Sequence, residues 1–283
     1  MKSLPWVLVA SLAILATGGC ATTSRPAASA HDTLDAVLWL QASAEYAATT
    51  AGIYAAATAA LEAHTSAADS RTGQWAVVMD LDETVLDNSR YQAQLVADEA
   101  RYASDTWDDW VELKVATAVP GAVEFIRASQ AMGVHVAFVT NRPCRPRSGT
   151  ADPCPQKADT LANLQRIGIN TDSTTLFLRG ERPPSSCSAV LSNVETASGG
   201  WSSDKTSRRD CVALTRDIAL LFGDQFGDFY EVPDASRIED GRNLARTYQQ
   251  HWGTTWFMLP NPTYGGWRPP ATLQKRRRLQ GYK

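Results

Sequence analysis

This sequence has a small net charge and few histidines, cysteines and long apolar runs. These shortages argue against several classes of function. The 283 residues carry 27 basic and 30 acidic side chains, a net charge of −3, which argues against nucleic acid as an electrostatic partner. The five cysteines show no C-x-x-C spacing and have no neighbouring histidine, so a zinc site is not supported. The hydrophobic fraction of 44% is that of a globular protein with a sizeable core, and the length suits one main domain with elaborations.

The N-terminus carries an apolar run that suits a targeting segment. Residues 4–15 are apolar but too few for a stable membrane span, and the small residues 16–19 then lead to Cys20. This arrangement resembles a bacterial lipoprotein signal, in which Cys20 becomes the lipidated first residue of the mature protein. We therefore expect a protein of the bacterial cell envelope, anchored to the outer membrane and facing the periplasm; Ala21, rather than Asp, favours the outer membrane by analogy with known sorting. Thr17 stands where such signals usually have Leu, so cleavage that leaves Cys20 unmodified stays open.

The other cysteines predict disulfide bonds. Without Cys20 four remain, and an even number in an exported protein indicates two disulfides with three possible pairings. The Pro-rich segment between Cys144 and Cys154 is short, which makes these two the natural local bridge. Cys187 and Cys211 then form the second bridge.

The order of helical and strand patterns predicts an α/β protein. The Ala-rich segment from Thr33 predicts one long helix, or two shorter helices broken near Gly52. From Trp75 onward, β-branched apolar runs alternate with helical patterns, as in a parallel sheet with crossovers. A basic run at 275–278 is expected to be solvated, with a contact to anionic lipid headgroups as the minority alternative. The expected organisation is a signal peptide at 1–19, a flexible tether at 20–32, an N-terminal helical segment at 33–71, an α/β core with a helical cap insertion at 72–270, and a basic tail at 271–283.

The stretch most informative about chemistry is Asp80-Leu81-Asp82, which directly follows the apolar run Trp75–Met79. If that run is a buried parallel strand, both aspartates emerge at its carboxyl end, where open α/β sheets place their ligands. The carboxylate of Asp80 can attack phosphorus, and that of Asp82 can protonate the leaving oxygen and later activate water. The plain structural alternative is a strand end that runs into an acidic turn.

Polar groups also follow the apolar run 134–139, the second expected strand. Thr140 and Asn141 stand at its carboxyl end and should meet the aspartates at the same edge of a parallel sheet. Thr140 and the backbone around it would hydrogen-bond the transferring phosphoryl oxygens. A lysine is expected to neutralise the same oxygens, whose charge spreads in the transition state.

A third polar strand end, after the run 218–222, supplies carboxylates for a metal ion. Asp224 and Asp228 follow this run closely. Asp80, Asp224 and the backbone carbonyl of Asp82 would bind Mg²⁺, because oxygen ligands suit this hard cation. Asp228 would coordinate through water or orient the other ligands. The ion would hold an anionic phosphate against an anionic nucleophile.

Five ordered segments carry a family likeness over most of the chain, from about Thr33 to Trp267. They are DLDETVLDNS at 80–89, VPGAVEF at 119–125, VTNR at 139–142, GDQFGDF at 223–229 and LPNPTYGGW at 259–267. These segments resemble motifs of the haloacid dehalogenase superfamily and, within it, of the bacterial class C (lipoprotein e(P4)-like) nonspecific acid phosphatases. The resemblance implies a three-layer, Rossmann-like parallel sheet core with a small helical subdomain. It also implies a Mg²⁺-dependent acid phosphatase that hydrolyses phosphomonoesters, nucleoside 5′-monophosphates among them, through an aspartyl-phosphate.

Two departures from the family pattern bear on the site. Gln225 stands where relatives usually have Asn or Asp, which alters the surroundings of the metal. The lysine of the third motif does not directly follow its strand, because a Pro/Ser/Gly-rich insertion at 180–203 intervenes. The local Asp-Lys-Thr-Ser match favours Lys205, with Lys157 as the alternative. A Cys187–Cys211 disulfide would hold the insertion beside Lys205.

Aromatic residues give the clue to the substrate. Trp107 and Trp110 form a W-x-x-W pattern on an expected helix, and Tyr264 belongs to the C-terminal signature. Tryptophans at i and i+3 can simply bury one helical face, and Trp110 is interpreted in this way. The resemblance implies that Trp107 and Tyr264 stack on nucleobases, an interaction that contributes ~1–3 kcal/mol per base in single-strand binding proteins.

The sequence leaves alternative functions open. Within enzymes, the alternative is a phosphotransferase or a phosphatase of narrow specificity for sugar or lipid phosphates. Outside enzymes, it is a surface lipoprotein that binds a ligand on an inactive scaffold, although the presence of both aspartates of the D-x-D pair argues against inactivity. The sequence leaves open whether two copies form a homodimer.

Overall fold

The computed structural model describes residues 31–67, 74–193, 199–231, 234–269 and 272–281. The predicted signal peptide, most of the tether and Cys20 lie outside these residues. The helices are α1 (Leu34–Ala42), α2 (Ala44–Ala67), α3 (Ser89–Ala97), α4 (Ser104–Leu113), α5 (Ala122–Ala131), α6 (Pro155–Arg166), α7 (Thr206–Ala213), α8 (Asp234–Thr247) and α9 (Thr272–Arg278). The strands are β1 (Trp75–Met79), β2 (Leu86–Asp87), β3 (Thr117–Ala118), β4 (His135–Pro143), β5 (Leu176–Arg179), β6 (Asp217–Gly223) and β7 (Trp256–Met258). None of the helices in the described segments has the length and apolar character that a membrane crossing requires.

The central sheet has five parallel strands in the order β5-β4-β1-β6-β7. The chain passes from β1 to β4 and β5 on one side and then returns to β6 and β7 on the other. This reversal creates a crevice at the carboxyl end of β1, where sheets of this type bind ligands. β2 and β3 form a separate antiparallel pair next to α3 and α4, in the segment that leads from β1 to α5.

Side chains of β1 alternate between the two faces of the sheet, because successive residues of a strand point to opposite sides. Val77 and Met79 lie in a core that also contains apolar side chains of α2 and α5. Ala76 and Val78 lie in a second core, which includes Cys211 and other side chains of α7. Both faces of the sheet are therefore buried, and the molecule has the three layers expected of a parallel α/β fold.

The N-terminal segment forms two helices, but the break lies at Ser43 and not near Gly52, so that part of the sequence prediction is wrong. Ser43 has an extended backbone, with ψ of 137°, and its hydroxyl accepts the N–H of Tyr46 at 3.0 Å. A serine in this position caps the start of the next helix, which is α2. Gly52 lies inside α2, where a Cβ would meet nothing within 4 Å. α2 packs on the sheet, with Tyr54 stacked 5.5 Å from Phe222 of β6.

Both predicted disulfides are present. Cys144 and Cys154 are joined with their Cα atoms 4.7 Å apart, and Cys187 and Cys211 with theirs 5.1 Å apart. The first disulfide closes the loop between β4 and α6. The second ties the insertion after β5 to α7, which is the helix that begins directly after Lys205.

The insertion is also closed at its base by backbone hydrogen bonds. The N–H of Gly180 donates to the carbonyl of Trp201 at 2.8 Å, and the N–H of Trp201 donates to the carbonyl of Glu181 at 2.9 Å. Trp201 itself is almost fully buried. The chain therefore leaves the insertion close to the point where it entered, at the carboxyl end of β5.

Candidate active site

The site begins where the chain continues beyond β1. The N–H of Asp80 donates to the carbonyl of Phe222 at 3.0 Å, which extends the pairing with β6 by one residue. The chain then turns tightly, because the carbonyl of Leu81 accepts the N–H of Leu86 at 2.8 Å. Glu83, inside this turn, has a left-handed backbone with φ of 59°. The turn leaves both aspartates of the D-x-D pair at the carboxyl end of the central strand.

Three buried carboxylates form a cluster at this end of the sheet. Asp80, Asp224 and Asp228 each place one carboxylate oxygen within 4.8 Å of the others. Asp228 is folded back towards β6, because its Oδ2 accepts the N–H of Gln225 at 2.9 Å. Gly223 permits this approach, since a Cβ at that position would overlap the side chain of Asp228. In the described part of the chain, this is the set of carboxylates with the spacing of a metal site.

Lys205 supplies a positive charge to the cluster. Its buried ammonium donates to Asp80 Oδ1 and lies 2.6 Å from Asp228 Oδ1. Lys157, the alternative from the sequence, pairs with Glu181 instead. The structure therefore brings Lys205, and not Lys157, to the aspartates.

Burial and mutual repulsion change the ionisation of these groups. Burial raises the pKa of Asp80 to about 7, while the Lys205 ammonium opposes this rise and the charge of Asp228 adds to it. Burial likewise raises the pKa of Asp224 well above its usual range, again with a contribution from Asp228. For Lys205, burial lowers the pKa, but the carboxylates of Asp228 and Asp80 outweigh it and the pKa is raised. Three carboxylates share the charge of one lysine, so the ionised cluster carries an excess of negative charge. This excess favours the binding of a further cation.

The carboxylate of Asp82 lies outside this cluster and is held by three other side chains. Arg142 donates to its Oδ1 from Nε at 3.1 Å and from a terminal nitrogen at 2.8 Å. The amide of Asn88 donates to the same oxygen at 3.0 Å, and the hydroxyl of Thr140 lies 3.5 Å from Oδ2. Because Arg142 is almost fully buried, this charge-assisted pair fixes the orientation of the Asp82 carboxylate.

The residues after the second predicted strand lie inside β4, which runs through Pro143 and so past the expected end at residue 139. The pairing of β4 with β5 shifts register between Thr140 and Pro143. Such an irregularity re-aims side chains at the edge of a sheet. Arg142 is buried against Asp82, whereas Asn141 is exposed.

Arg208 joins this end of β4 to the end of the insertion. Its guanidinium donates to the carbonyl of Thr140, to Asn141 Oδ1 at 2.7 Å and to the carbonyl of Ser202 at 3.0 Å. The amide of Asn141 in turn donates to the carbonyl of Ser203 at 3.0 Å. Burial lowers the pKa of Arg208 to about 10. This buried arginine holds the two polar residues of the second motif in place.

The two tryptophans of α4 reach the site through other side chains. Trp107 is 7% exposed, and its ring packs edge-on against Tyr91 at 5.1 Å. The guanidinium carbon of Arg142 lies 5.8 Å from the centre of the same ring. Trp110, which was interpreted as packing, is buried and donates its indole N–H to Asn88 Oδ1 at 2.9 Å. The two rings therefore support Arg142 and Asn88, two of the three side chains that hold Asp82.

The C-terminal signature contacts the first and the fourth motif. The partly exposed Tyr264 donates its hydroxyl to Glu83, whose other carboxylate oxygen accepts the N–H of Asn88 at 3.2 Å. Burial, reinforced by neighbouring carboxylates, raises the pKa of Glu83 well above its usual range. The amide of Asn261 donates to Asp224 Oδ2 at 2.7 Å.

Sequence reasoning gave no role to Arg142, Arg208, Glu83 or Asn261, although each contacts a residue of the site. Arg142, Glu83 and Asn261 lie inside the matched segments, so membership of those segments was the available signal. Arg208 lies outside them, and its partners come from β4 and from the end of the insertion. No local sequence pattern indicates a role for Arg208.

A parallel sheet whose central strand ends in such a carboxylate cluster is the architecture of the haloacid dehalogenase superfamily. The family model described as "HAD superfamily, subfamily IIIB (Acid phosphatase)" matches residues 16–267, and the chain belongs to this family. Two solved structures are similar to it: the class C acid phosphatase from Bacillus anthracis and the same protein with tungstate bound. Each is 25% identical, has a TM-score of 0.72, and covers 90% of this chain and 99% of its own. The predicted family and fold class are thereby confirmed, and both comparisons indicate a phosphomonoesterase.

Two curated relatives come from Glycine max. The stem 28 kDa glycoprotein is 27% identical over 188 residues, which cover 66% of this chain and 58% of the relative. The stem 31 kDa glycoprotein is 26% identical over 186 residues, which cover 65% of this chain and 50% of the relative. The chain thus spans 58% and 50% of the length of these two curated relatives.

Proposed function

We propose that this chain hydrolyses phosphomonoesters as a Mg²⁺-dependent acid phosphatase, with nucleoside 5′-monophosphates among its substrates. The observation that carries the proposal is the contact of the Lys205 ammonium with Asp80, beside the buried carboxylates of Asp224 and Asp228. The tungstate-bound neighbour supports it, because tungstate is a tetrahedral oxyanion like phosphate. A phosphoryl group would bind beside Lys205 at the carboxyl end of the sheet.

The carboxylate cluster fits a hard divalent cation. Asp80, Asp224 and Asp228 offer oxygen ligands only, and the charge of Lys205 balances one of them. Mg²⁺ takes such ligands in proteins, and the main-chain carbonyl of Asp82 would complete the set. When bound, the ion would neutralise charge between the phosphate and the carboxylate that attacks it.

Asp80 is the nucleophile of the proposed reaction. One of its carboxylate oxygens forms a bond to phosphorus while the bond from phosphorus to the ester oxygen breaks, which gives an aspartyl-phosphate. Asp82 donates a proton to the departing oxygen. Water then attacks phosphorus, Asp82 accepts a proton from it, and inorganic phosphate leaves Asp80.

The neighbouring side chains position this chemistry. Lys205 already lies against the carboxylate that attacks, where it would also contact the phosphoryl oxygens as their charge spreads. Thr140 and Asn141, held by Arg208, would bind the same oxygens through the backbone and the side-chain amide. Arg142 keeps the Asp82 carboxylate in one orientation throughout.

The nucleotide preference rests on aromatic residues at the edge of the site. Tyr264 is partly exposed, and its hydroxyl bond to Glu83 sets the orientation of the ring before a substrate arrives. A base stacked on Tyr264 would gain affinity whatever the base, because every base has a π face. Trp107, which is 7% exposed and packs against Tyr91, would add a smaller contact to the base. Substrates without a base would then show a higher KM and a similar kcat.

We further propose that Cys20 is lipidated and anchors the protein to the outer membrane, facing the periplasm. The basis is the sequence pattern alone, since Cys20 lies outside the described residues. Metabolic labelling with a fatty acid should mark the protein, and Cys20→Ser should abolish the label. Labelling that persists in this variant would rule out Cys20 as the anchor.

Hydrolysis of p-nitrophenyl phosphate and 5′-AMP by residues 21–283 tests the enzymatic proposal. We expect turnover at about pH 5 that EDTA removes and Mg²⁺ restores. Asp80→Asn should lower kcat by at least about 10³-fold, as expected for loss of a nucleophile. The exposed Asp109→Asn is the matched control and should keep full activity. Turnover that survives in Asp80→Asn, or well-folded protein that hydrolyses neither ester with Mg²⁺, would overturn the proposal.

A further inference from the structure

The basic helix α9 has no part in the phosphatase chemistry. It ends in four consecutive cations, of which Arg276, Arg277 and Arg278 are exposed. Leu279, the next residue, is 78% exposed. The chain as a whole has a net charge of −3, so this run is a strong local departure from its average.

An ion pair places α9 where the chain enters the compact unit. The ammonium of Lys275 contacts Asp32, and the guanidinium of Arg268 lies 3.6 Å from the same carboxylate. The compact unit begins at His31, so Asp32 is the second residue of that unit. The ion pair of Lys275 therefore brings the basic run close to the N-terminal entry of the compact unit.

Exposed leucines flank the same entry. α1 begins two residues after Asp32, and its Leu34 and Leu38 are 44% and 60% exposed. Side chains at i and i+4 lie on one face of a helix, so these two form an apolar strip one turn long. We call Leu34, Leu38, Leu279 and the three exposed arginines of α9 the entry surface.

We propose that the entry surface binds the anionic phospholipid headgroups of a membrane and holds the compact unit against the bilayer. Arginines attract the headgroups, and the exposed leucines of the entry surface can enter the apolar edge of the bilayer. Nucleic acid would also attract the arginines, but it offers nothing to the leucines, and the overall charge opposes it. This contact is separate from any lipid on Cys20 and from catalysis.

Vesicle sedimentation with residues 21–283 tests this surface without the anchor. This form retains the whole compact unit and lacks Cys20. We expect it to bind vesicles that contain phosphatidylglycerol and not vesicles of phosphatidylcholine alone. Replacing the three exposed arginines of α9 by Gln should weaken binding about 100-fold, because each cation near an anionic surface contributes about 1 kcal/mol and 1.4 kcal/mol is tenfold. The charge-matched control replaces three exposed arginines elsewhere by Gln, namely Arg90, Arg166 and Arg242.

Two further measurements separate the charged and apolar parts. Raising the salt concentration from about 0.1 M to about 1 M should release the protein, because the Debye length falls from about 10 Å to about 3 Å. Leu34→Ser with Leu38→Ser should weaken binding and leave its salt dependence unchanged. Thermal unfolding and p-nitrophenyl phosphate hydrolysis monitor the folding of each variant. No binding to phosphatidylglycerol vesicles, equal binding to phosphatidylcholine, or equal losses in the α9 variant and its charge-matched control would overturn the proposal.

Discussion

The buried carboxylate cluster predicts that the metal-free protein loses stability as the pH rises. Burial raises the pKa of Asp80 to about 7, whereas an unfolded chain has a value of about 3.9. Between these two values the folded state binds more protons than the unfolded state. The free energy of unfolding must therefore fall as the pH increases through this window, with the charged carboxylate penalised above pH 7.

The size of the effect follows from the same two pKa values. Ionising Asp80 fully in the folded state costs up to ~4 kcal/mol, because the shift of about three pKa units is worth ~1.4 kcal/mol each. Between about pH 5 and about pH 8 the expected loss is ~2–3 kcal/mol. Asp224, whose pKa is raised by burial as well, adds a loss of the same sign.

Urea unfolding in EDTA at these two pH values measures the loss. Asp80→Asn cannot titrate at this position, and it also removes the charge that helps to raise the pKa of Asp224, so the native protein should lose more stability over this window than the variant does. The exposed Asp109→Asn should behave like the native protein. Added Mg²⁺ should stabilise the native protein more at the higher pH, because the ion binds the ionised carboxylates. The same pH dependence in native protein and in Asp80→Asn would refute this reasoning.

Two substitutions give further predictions. Arg147 donates two hydrogen bonds of 2.9 Å to Asp108, and both side chains are largely buried. Arg147→Met should therefore lower the free energy of unfolding, measured by urea denaturation, by ~3–5 kcal/mol. Arg145→Gln breaks an exposed ion pair and should lower it by less than ~1 kcal/mol. Similar losses in the two variants would contradict this prediction. Gly223→Ala adds a Cβ that overlaps Asp228, so we expect weaker Mg²⁺ binding by calorimetry and lower kcat, and unchanged Mg²⁺ affinity would show that the cluster tolerates the shift.

Much of the fold was predictable because it depends on short-range patterns. The apolar run of β1 and its abrupt end at Asp80 are visible in a few consecutive residues. The break between α1 and α2 was misplaced because Gly52 is tolerated inside a long helix that packs well, whereas Ser43 has an extended backbone after α1 and caps the start of α2. The end of β4 was misplaced because its last residues are polar and pair irregularly with β5.

The candidate site, like the fold, was predictable from the sequence only in part. Asp80, Asp224 and Lys205 could be assigned because each stands in a recognisable local pattern. Arg208 could not, since its contacts depend on how the insertion folds back against β4. Tyr54 stands in a segment whose sequence pattern predicts only a helix, yet its hydroxyl donates at 2.6 Å to the carbonyl of Thr84 in the first-motif turn. Contacts between residues far apart in sequence leave no periodic signal.

The nucleophilic role of Asp80 is tested most directly by trapping its phosphorylated form. In Asp82→Asn, p-nitrophenolate can leave without a proton donor, but the attacking water lacks its base, so the first step should outrun the second. After acid quenching, mass spectrometry should find one phosphoryl group on the peptide that contains Asp80. The same peptide should stay unmodified in Asp80→Asn. Continued turnover with an unmodified Asp80, or a phosphoryl group on another residue, would contradict the mechanism.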